Sequence, residues 1–134
     1  MTEKNKSKGS PRQRLRFGVD RRLKKKADFD RVFNGRLSSA DGCLIVRAQP
    51  NRAGHSRMGV SVGKRFGCAV QRNRCKRTLR EAFRLLQHEL PGGYDYVLIP
   101  RQRDKVSTEL YRKSLLRLCR KINDRHQRDK QIIE

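Results

Sequence analysis

Five cationic side chains fall within the eleven residues QRNRCKRTLRE, positions 71–81, and four of the five are Arg. A guanidinium is a flat fork of N–H donors that meets a phosphate through two parallel hydrogen bonds. At about 100° per residue, Cys75, Leu79, Ala82, Leu86 and Leu90 gather on one side of a helix, with Phe83 at the margin. Arg72, Asn73, Lys76, Arg77, Arg80 and Arg84 gather on the other. A helix face that is merely solvated usually interleaves acids with bases four residues apart, and here Glu81 stands alone. The chemistry this spacing suits is contact with a polyanion.

Other chemistry finds little support. Gly59-x-x-x-Gly63-Lys64-Arg65 resembles a phosphate-cradling loop, but that loop needs four residues between its glycines and a Ser or Thr after the Lys. Cys43, Cys68, Cys75 and Cys119 form no CxxC pair and lie far in sequence from His55, His88 and His126, so no zinc site is expected. Cys43 and Cys119 sit in apolar periodic segments and read as small core residues. No Ser-His-Asp or Cys-His arrangement and no acidic cluster suggests hydrolysis. We therefore expect no catalytic side chain and no protein-bound metal.

The charge of the whole chain points the same way. Lys and Arg number 35 against 13 Asp and Glu, a net +22. A compact chain of that charge repels itself unless a polyanion neutralises it. No apolar run approaches the roughly 20 residues of a membrane span, and the first residues, MTEKNKSKGSPRQR, carry no apolar signal region. The candidates for that polyanion are a nucleic acid and an anionic membrane; the expected setting is the cytoplasm, with a nucleic acid as partner, no membrane and no obligate protein partner. Two rivals share this composition: a structural binder of ribosomal RNA, and a DNA-binding module inserting residues 69–86 into a major groove.

The elements that must position these residues follow from periodicity. Residues 1–16 read as a disordered basic arm, 17–124 as a single domain and 125–134 as a polar tail, frayed after about 124. Phe29, Val32 and Phe33, at i, i+3 and i+4, predict a short helix stopped by Asn34-Gly35. CLIVRA (43–48) and MGVSVG (58–63) read as strands of an antiparallel hairpin, followed by a helix over about 69–90 ended at Pro91. YDYVLI (94–99) predicts another strand. Ser107 predicts an N-cap, with Glu109 in the first turn and Leu115, Leu118 and Ile122 as the apolar stripe of the last helix. The pattern resembles a sheet with helices on one side. Gly59, Ser61 and Gly63 share one strand face, where small side chains permit close approach. Which face of 43–48 meets solvent stays open at this level: Leu44 and Val46 share one, Cys43 and Ile45 the other.

F-x-x-V-F (29–33), GVSVGKRFGCAVQRNRCKRTLREAF (59–83) and YDYVLIPR (94–101), in this order, resemble the protein subunit of bacterial ribonuclease P over roughly residues 20–122. The helix signature Arg72-Asn73-Arg74-x-Lys76-Arg77-x-x-Arg80-Glu81 carries most of the resemblance. The family implies an α+β fold: a two-layer α/β sandwich of four strands and three helices with a left-handed βαβ crossover and a short strand near Leu37–Ser39. It implies a ribonucleoprotein endonuclease that removes the 5′ leader of precursor tRNA, with Mg2+ and hydrolysis belonging chiefly to the catalytic RNA. Arg72, Asn73, Arg74, Lys76, Arg77 and Arg80 would belong to its RNA-binding helix. Phe29, Phe33, Leu44, Val46, Ser61, Lys64 and Arg65 would line its leader-binding cleft. Two departures are notable. Cys68 stands where the family usually has Asn, a better N-cap by about 1 kcal/mol. Val46 stands where some members carry a base-contacting aromatic, so a stacking contact of ~1–3 kcal/mol would be lost.

Overall fold

The computed structural model describes residues 21–101 and 107–133; the arm expected over 1–16 lies outside the described residues. The elements are α1 (Lys26–Phe33), β1 (Leu37–Ala40), β2 (Leu44–Pro50), β3 (Arg57–Val60), a 3-10 turn (Lys64–Phe66), α2 (Ala69–Leu86), β4 (Tyr94–Pro100) and α3 (Thr108–Ile133). They form an α+β fold with one four-stranded sheet in the order β1-β2-β4-β3. β1 and β4 both pair antiparallel with β2, whereas β3 runs parallel to β4 and reaches it through α2.

The hairpin expected from 43–48 and 58–63 does not form, because β4 lies between the two strands. Tyr94 through Leu98 are all buried. Tyr96 and Leu98 join the main core, while Val97 joins Leu23 and Val32 on the opposite face. A strand covered on both faces belongs in the interior of a sheet, and β4 is the strand whose composition allows it. The segment 51–56 carries the chain past it.

Helices also occupy both faces, not one. α2 and α3 pack on each other, and Cys75, Leu79, Phe83, Leu115, Leu118 and Ile122 close the main core over Leu44, Val46 and Ala48. α1 lies across the other face, where its one fully buried side chain, Val32, meets Leu23 and Val97. So small an apolar contact is supplemented by charge: Arg31 donates to Asp95 and, at 3.2 Å, to the Pro50 carbonyl.

Two boundaries differ from expectation. α2 ends at Leu86, and a turn over 87–90 still returns Leu90 to the core, its N–H bonded to the Leu86 carbonyl at 3.1 Å. α3 starts as expected, with Ser107 Oγ accepting the Leu110 N–H at 3.4 Å. It does not fray after 124 but continues to Ile133. Tertiary anchors explain the extra turns: Tyr94 donates to Asn123 at 2.9 Å, His126 meets the Tyr94 ring edge-on, and Arg125 donates to the Ser38 carbonyl at 3.1 Å.

Candidate nucleic-acid interface

α2 opens at a tight corner. Gly67 has φ 155°, a conformation that favours glycine, and a Cβ there would lie 2.0 Å from Gln71 Oε1. That oxygen accepts the Cys68 N–H at 2.9 Å, so the helix start is closed although Cys68 is a poor cap. The Gln71 backbone N–H, aided by that of Val70 and by the Arg72 charge, holds the exposed Cys68 thiol below its usual range.

The predicted basic residues separate. Asn73, Lys76, Arg77, Arg80 and Arg84 line one open groove of about 740 Å³, together with Arg22, Thr78 and Thr108. Glu81 lines it too, tied to Arg84 by bonds of 2.9 and 2.7 Å. Arg72 is not on this outer face. It stands three residues before Cys75, on the buried side of the helix, half-buried and with Nε shielded from solvent. Arg74 is exposed but does not line the groove. The placement of Arg72 opposite the apolar stripe is therefore corrected.

The strand residues need a larger correction. Leu44 and Val46 are 0 % exposed and face α2 and α3, so no ligand can touch them. The other face of β2 presents Ile45, Arg47 and Gln49, opposite Ile99, Val97 and Asp95 of β4. Ile45 and Ile99 are half-buried there. Val46 being aliphatic thus removes no stacking contact. One signal in the sequence marks the outer face: Leu44, Val46 and Ala48 are wholly apolar, whereas Ile45, Arg47 and Gln49 are mixed.

Phe29 and Phe33 both reach this second face. Phe29 lies directly on β3, where a Cβ on Gly59 would come within 2.4 Å of its Cζ. Phe33 is 36 % exposed, with the Arg47 guanidinium 5.7 Å from its ring centre, a cation–π arrangement. Ser61 follows β3, half-buried, its N–H bonded to the Leu98 carbonyl at 3.0 Å. Lys64 and Arg65 are exposed in the 3-10 turn, which Phe66 anchors in the core.

A small notch of about 160 Å³ joins the two regions, lined by Arg22, Lys24, Phe29, Gly59 and Arg80 among others. Arg22 and Arg80 line both the notch and the α2 groove. Arg22, Lys24, Ile45, Arg47 and Ile99 were not singled out from sequence, because their place depends on strand pairing and on where α1 lands. Among the described residues no group of three or more His, Cys, Asp or Glu is gathered, and no helix is long and apolar enough to cross a membrane.

A strongly basic α+β chain with a cationic groove running into an aromatic-flanked sheet face belongs to the class of RNA-binding proteins. The family model Ribonuclease P matches residues 17–123, and the chain belongs to that family. The Ribonuclease P protein component of Clostridioides difficile is 38% identical over 93 residues, 69% of this chain and 82% of that one. That of Oleidesulfovibrio alaskensis is 37% identical over 108 residues, 77% and 86% of the two chains. Among solved structures, the RNase P protein from Thermotoga maritima superposes with a TM-score of 0.68 at 33% identity, over 75% of this chain and 96% of that chain. The Staphylococcus aureus RNase P protein gives 0.63 at 34% identity, over 73% and 91%. The chain is a subunit of ribonuclease P, the endoribonuclease of tRNA 5′ maturation.

Proposed function

We propose that the face formed by α1, Ile45, Arg47, Ser61 and Ile99 holds the single-stranded 5′ leader of precursor tRNA, and that α2 binds the catalytic RNA. The observation that carries this reading is the shared lining of groove and notch by Arg22 and Arg80. A phosphate backbone can follow cations from α2 to Phe29 and Phe33, with the acids along the way, Glu81, Asp28 and Asp30, each beside a cation of this chain. Unpaired bases stack on aromatic faces and apolar floors, at ~1–3 kcal/mol per base. Lys64 and Arg65 extend the cationic rim past the end of β3. The positive surface also lowers the repulsion between two polyanions that must meet.

Magnesium supplies the activated water and stabilises the leaving oxygen in such hydrolysis. Among the described residues no group of three or more His, Cys, Asp or Glu is gathered, and on this reading the magnesium is held chiefly by the RNA. The complex works in the cytoplasm on this reading, with 17–124 acting as one RNA-binding domain, 1–16 as a basic arm and 125–134 as its polar end.

The test is cleavage of a 5′-labelled precursor tRNA at low magnesium. The protein alone, a bacterial ribonuclease P RNA alone, the pair, and the pair with Lys76, Arg77 and Arg80 changed to Gln are compared. Cleavage at the mature 5′ end should need both components and weaken in the variant. Equal affinity for precursor and mature tRNA with the catalytic RNA present would sink the leader assignment.

A further inference from the structure

α3 carries a second cationic surface, separate from the α2 groove and the leader face. Between Leu110 and Arg128 it holds seven Lys and Arg and one acid, Asp124. Lys113, Arg117, Arg120, Lys121, Arg125 and Arg128 are all exposed. At 100° per residue they fall within an arc of roughly 140°, while Tyr111, Leu115, Leu118, Cys119 and Ile122 pack into the core. The row runs roughly 22 Å at 1.5 Å per residue. Arg117 is paired with Asp41, but Arg120, Lys121 and Arg128 make no ion pair among the described residues.

The fold sets this row apart from the first interface. α2 packs against β3 and α3 against β1 and β2, and β1 and β3 are the opposite edges of the sheet. Arg117 reaches the β1–β2 turn and Arg125 the Ser38 carbonyl of β1, so the row flanks the β1 edge. The helix also outlasts the family match: residues 17–123 match, whereas α3 continues to Ile133 and adds Arg125 and Arg128 to the row.

We propose that the α3–β1 face is a second RNA-binding surface, which grips a duplex segment of the catalytic RNA by its phosphates. Unpaired bases need aromatic platforms, and the exposed α3 side chains include none: Tyr111 is buried and His126 is turned onto Tyr94. A row of exposed guanidinium and ammonium groups, with Arg120, Lys121 and Arg128 outside any ion pair among the described residues, suits instead the regular backbone of a helix, read by shape and phosphate contact. With the α2 groove at the other edge, the chain would bridge two RNA elements. The inference rests on the chain's place in a ribonucleoprotein.

The experiment uses the full chain with Arg120, Lys121, Arg125 and Arg128 changed to Gln, a residue of good helix propensity. A control keeps charge, with Lys at 120, 125 and 128. Circular dichroism verifies the fold of both. Binding to a bacterial ribonuclease P RNA is titrated over a range of salt. The Gln variant should flatten the slope of log K against log salt by about 3, at 0.7–0.9 per phosphate contact, and the charge-keeping control should not. A short RNA duplex should compete for the wild-type chain more strongly than for the Gln variant, and a single strand equally for both. Preference for precursor over mature tRNA at saturating protein should be unchanged. An unaltered slope would show a solvated face only; a changed response to the single strand, or a lost precursor preference, would assign the row to unpaired RNA; dimerisation lost in the variant would assign it to a second copy. Each overturns the proposal. The Lys76, Arg77 and Arg80 variant, run alongside, separates failure of this face from failure of the proposed function.

Discussion

Arg57 grips Asp95 with both arms of its fork, Nε to Oδ1 at 2.8 Å and a terminal nitrogen to Oδ2 at 2.7 Å. The two residues are partners in the parallel register of β3 and β4. Asn51 and Arg31 donate to the same carboxylate, so a single fully buried acid ties β3, the β2–β3 connection and α1 together.

Burial alone would raise the pKa of Asp95, but the bonds from Arg57 and Asn51 and the charges of Arg57 and Arg31 outweigh it and hold the carboxyl below its usual range. A depressed folded pKa contributes stability that is complete above the unfolded value of 3.8 and disappears as pH falls through the folded one. Asp95→Asn should cost about 2–3 kcal/mol at pH 7, less than a fully enclosed pair because both Arg side chains retain solvent access. Urea denaturation at pH 7 and pH 3 checks both parts. The gap between wild type and variant should narrow at the lower pH.

Arg72 and Arg77 should behave oppositely despite their shared family motif. Arg77→Ala removes a groove cation and should lower RNA affinity at low salt with little change in melting temperature. Arg72→Ala removes a packed stem at the core margin and should cost about 1 kcal/mol of stability. Thermal melts beside filter-binding titrations distinguish the two. Equal loss of RNA affinity in both would contradict the separation.

Neighbouring residues of β2 offer a sharper contrast. Ile45→Tyr places a ring on the outer face and should strengthen binding of a precursor with a single-stranded leader, by up to ~1–3 kcal/mol of stacking. Val46→Tyr forces a ring into the closed core and should destabilise by about 1–3 kcal/mol or more. Leader affinity and urea midpoints for the pair locate the face directly.

Gly59 and Phe29 should be energetically coupled. A Cβ at position 59 meets the Phe29 ring at 2.4 Å, so Gly59→Ala must displace that ring. Phe29→Leu in the same chain should relieve part of that cost. A double-mutant cycle should give a coupling of ~0.5–3 kcal/mol, whereas additive costs would mean the contact is loose.

Charge, the amphipathic α2, the α3 start at Ser107 and the β4 run were legible in the sequence, because each depends on neighbours within a few residues. The family resemblance supplied the rest of the topology, including the short strand at Leu37–Ala40. What the chain alone could not decide was contact across distance. Alternation shows that Leu44 and Val46 share a face, but only the packing of α2 and α3 shows that this face is closed. Two strands in succession suggest a hairpin; the doubly covered β4 separates them, because burial on both faces outweighs the proximity of β2 and β3 in sequence. At 100° per residue Arg72 lies about 20° from Leu79, so periodicity itself sets it on the apolar side, and its half-buried place in the structure corrects the expectation that grouped it with the other cations. The composition of this chain determined that it suits a polyanion, since charge is a sum over residues, and the family resemblance made that polyanion RNA. Which side chains meet it was decided by tertiary structure, since exposure is a property of neighbours far apart in the chain.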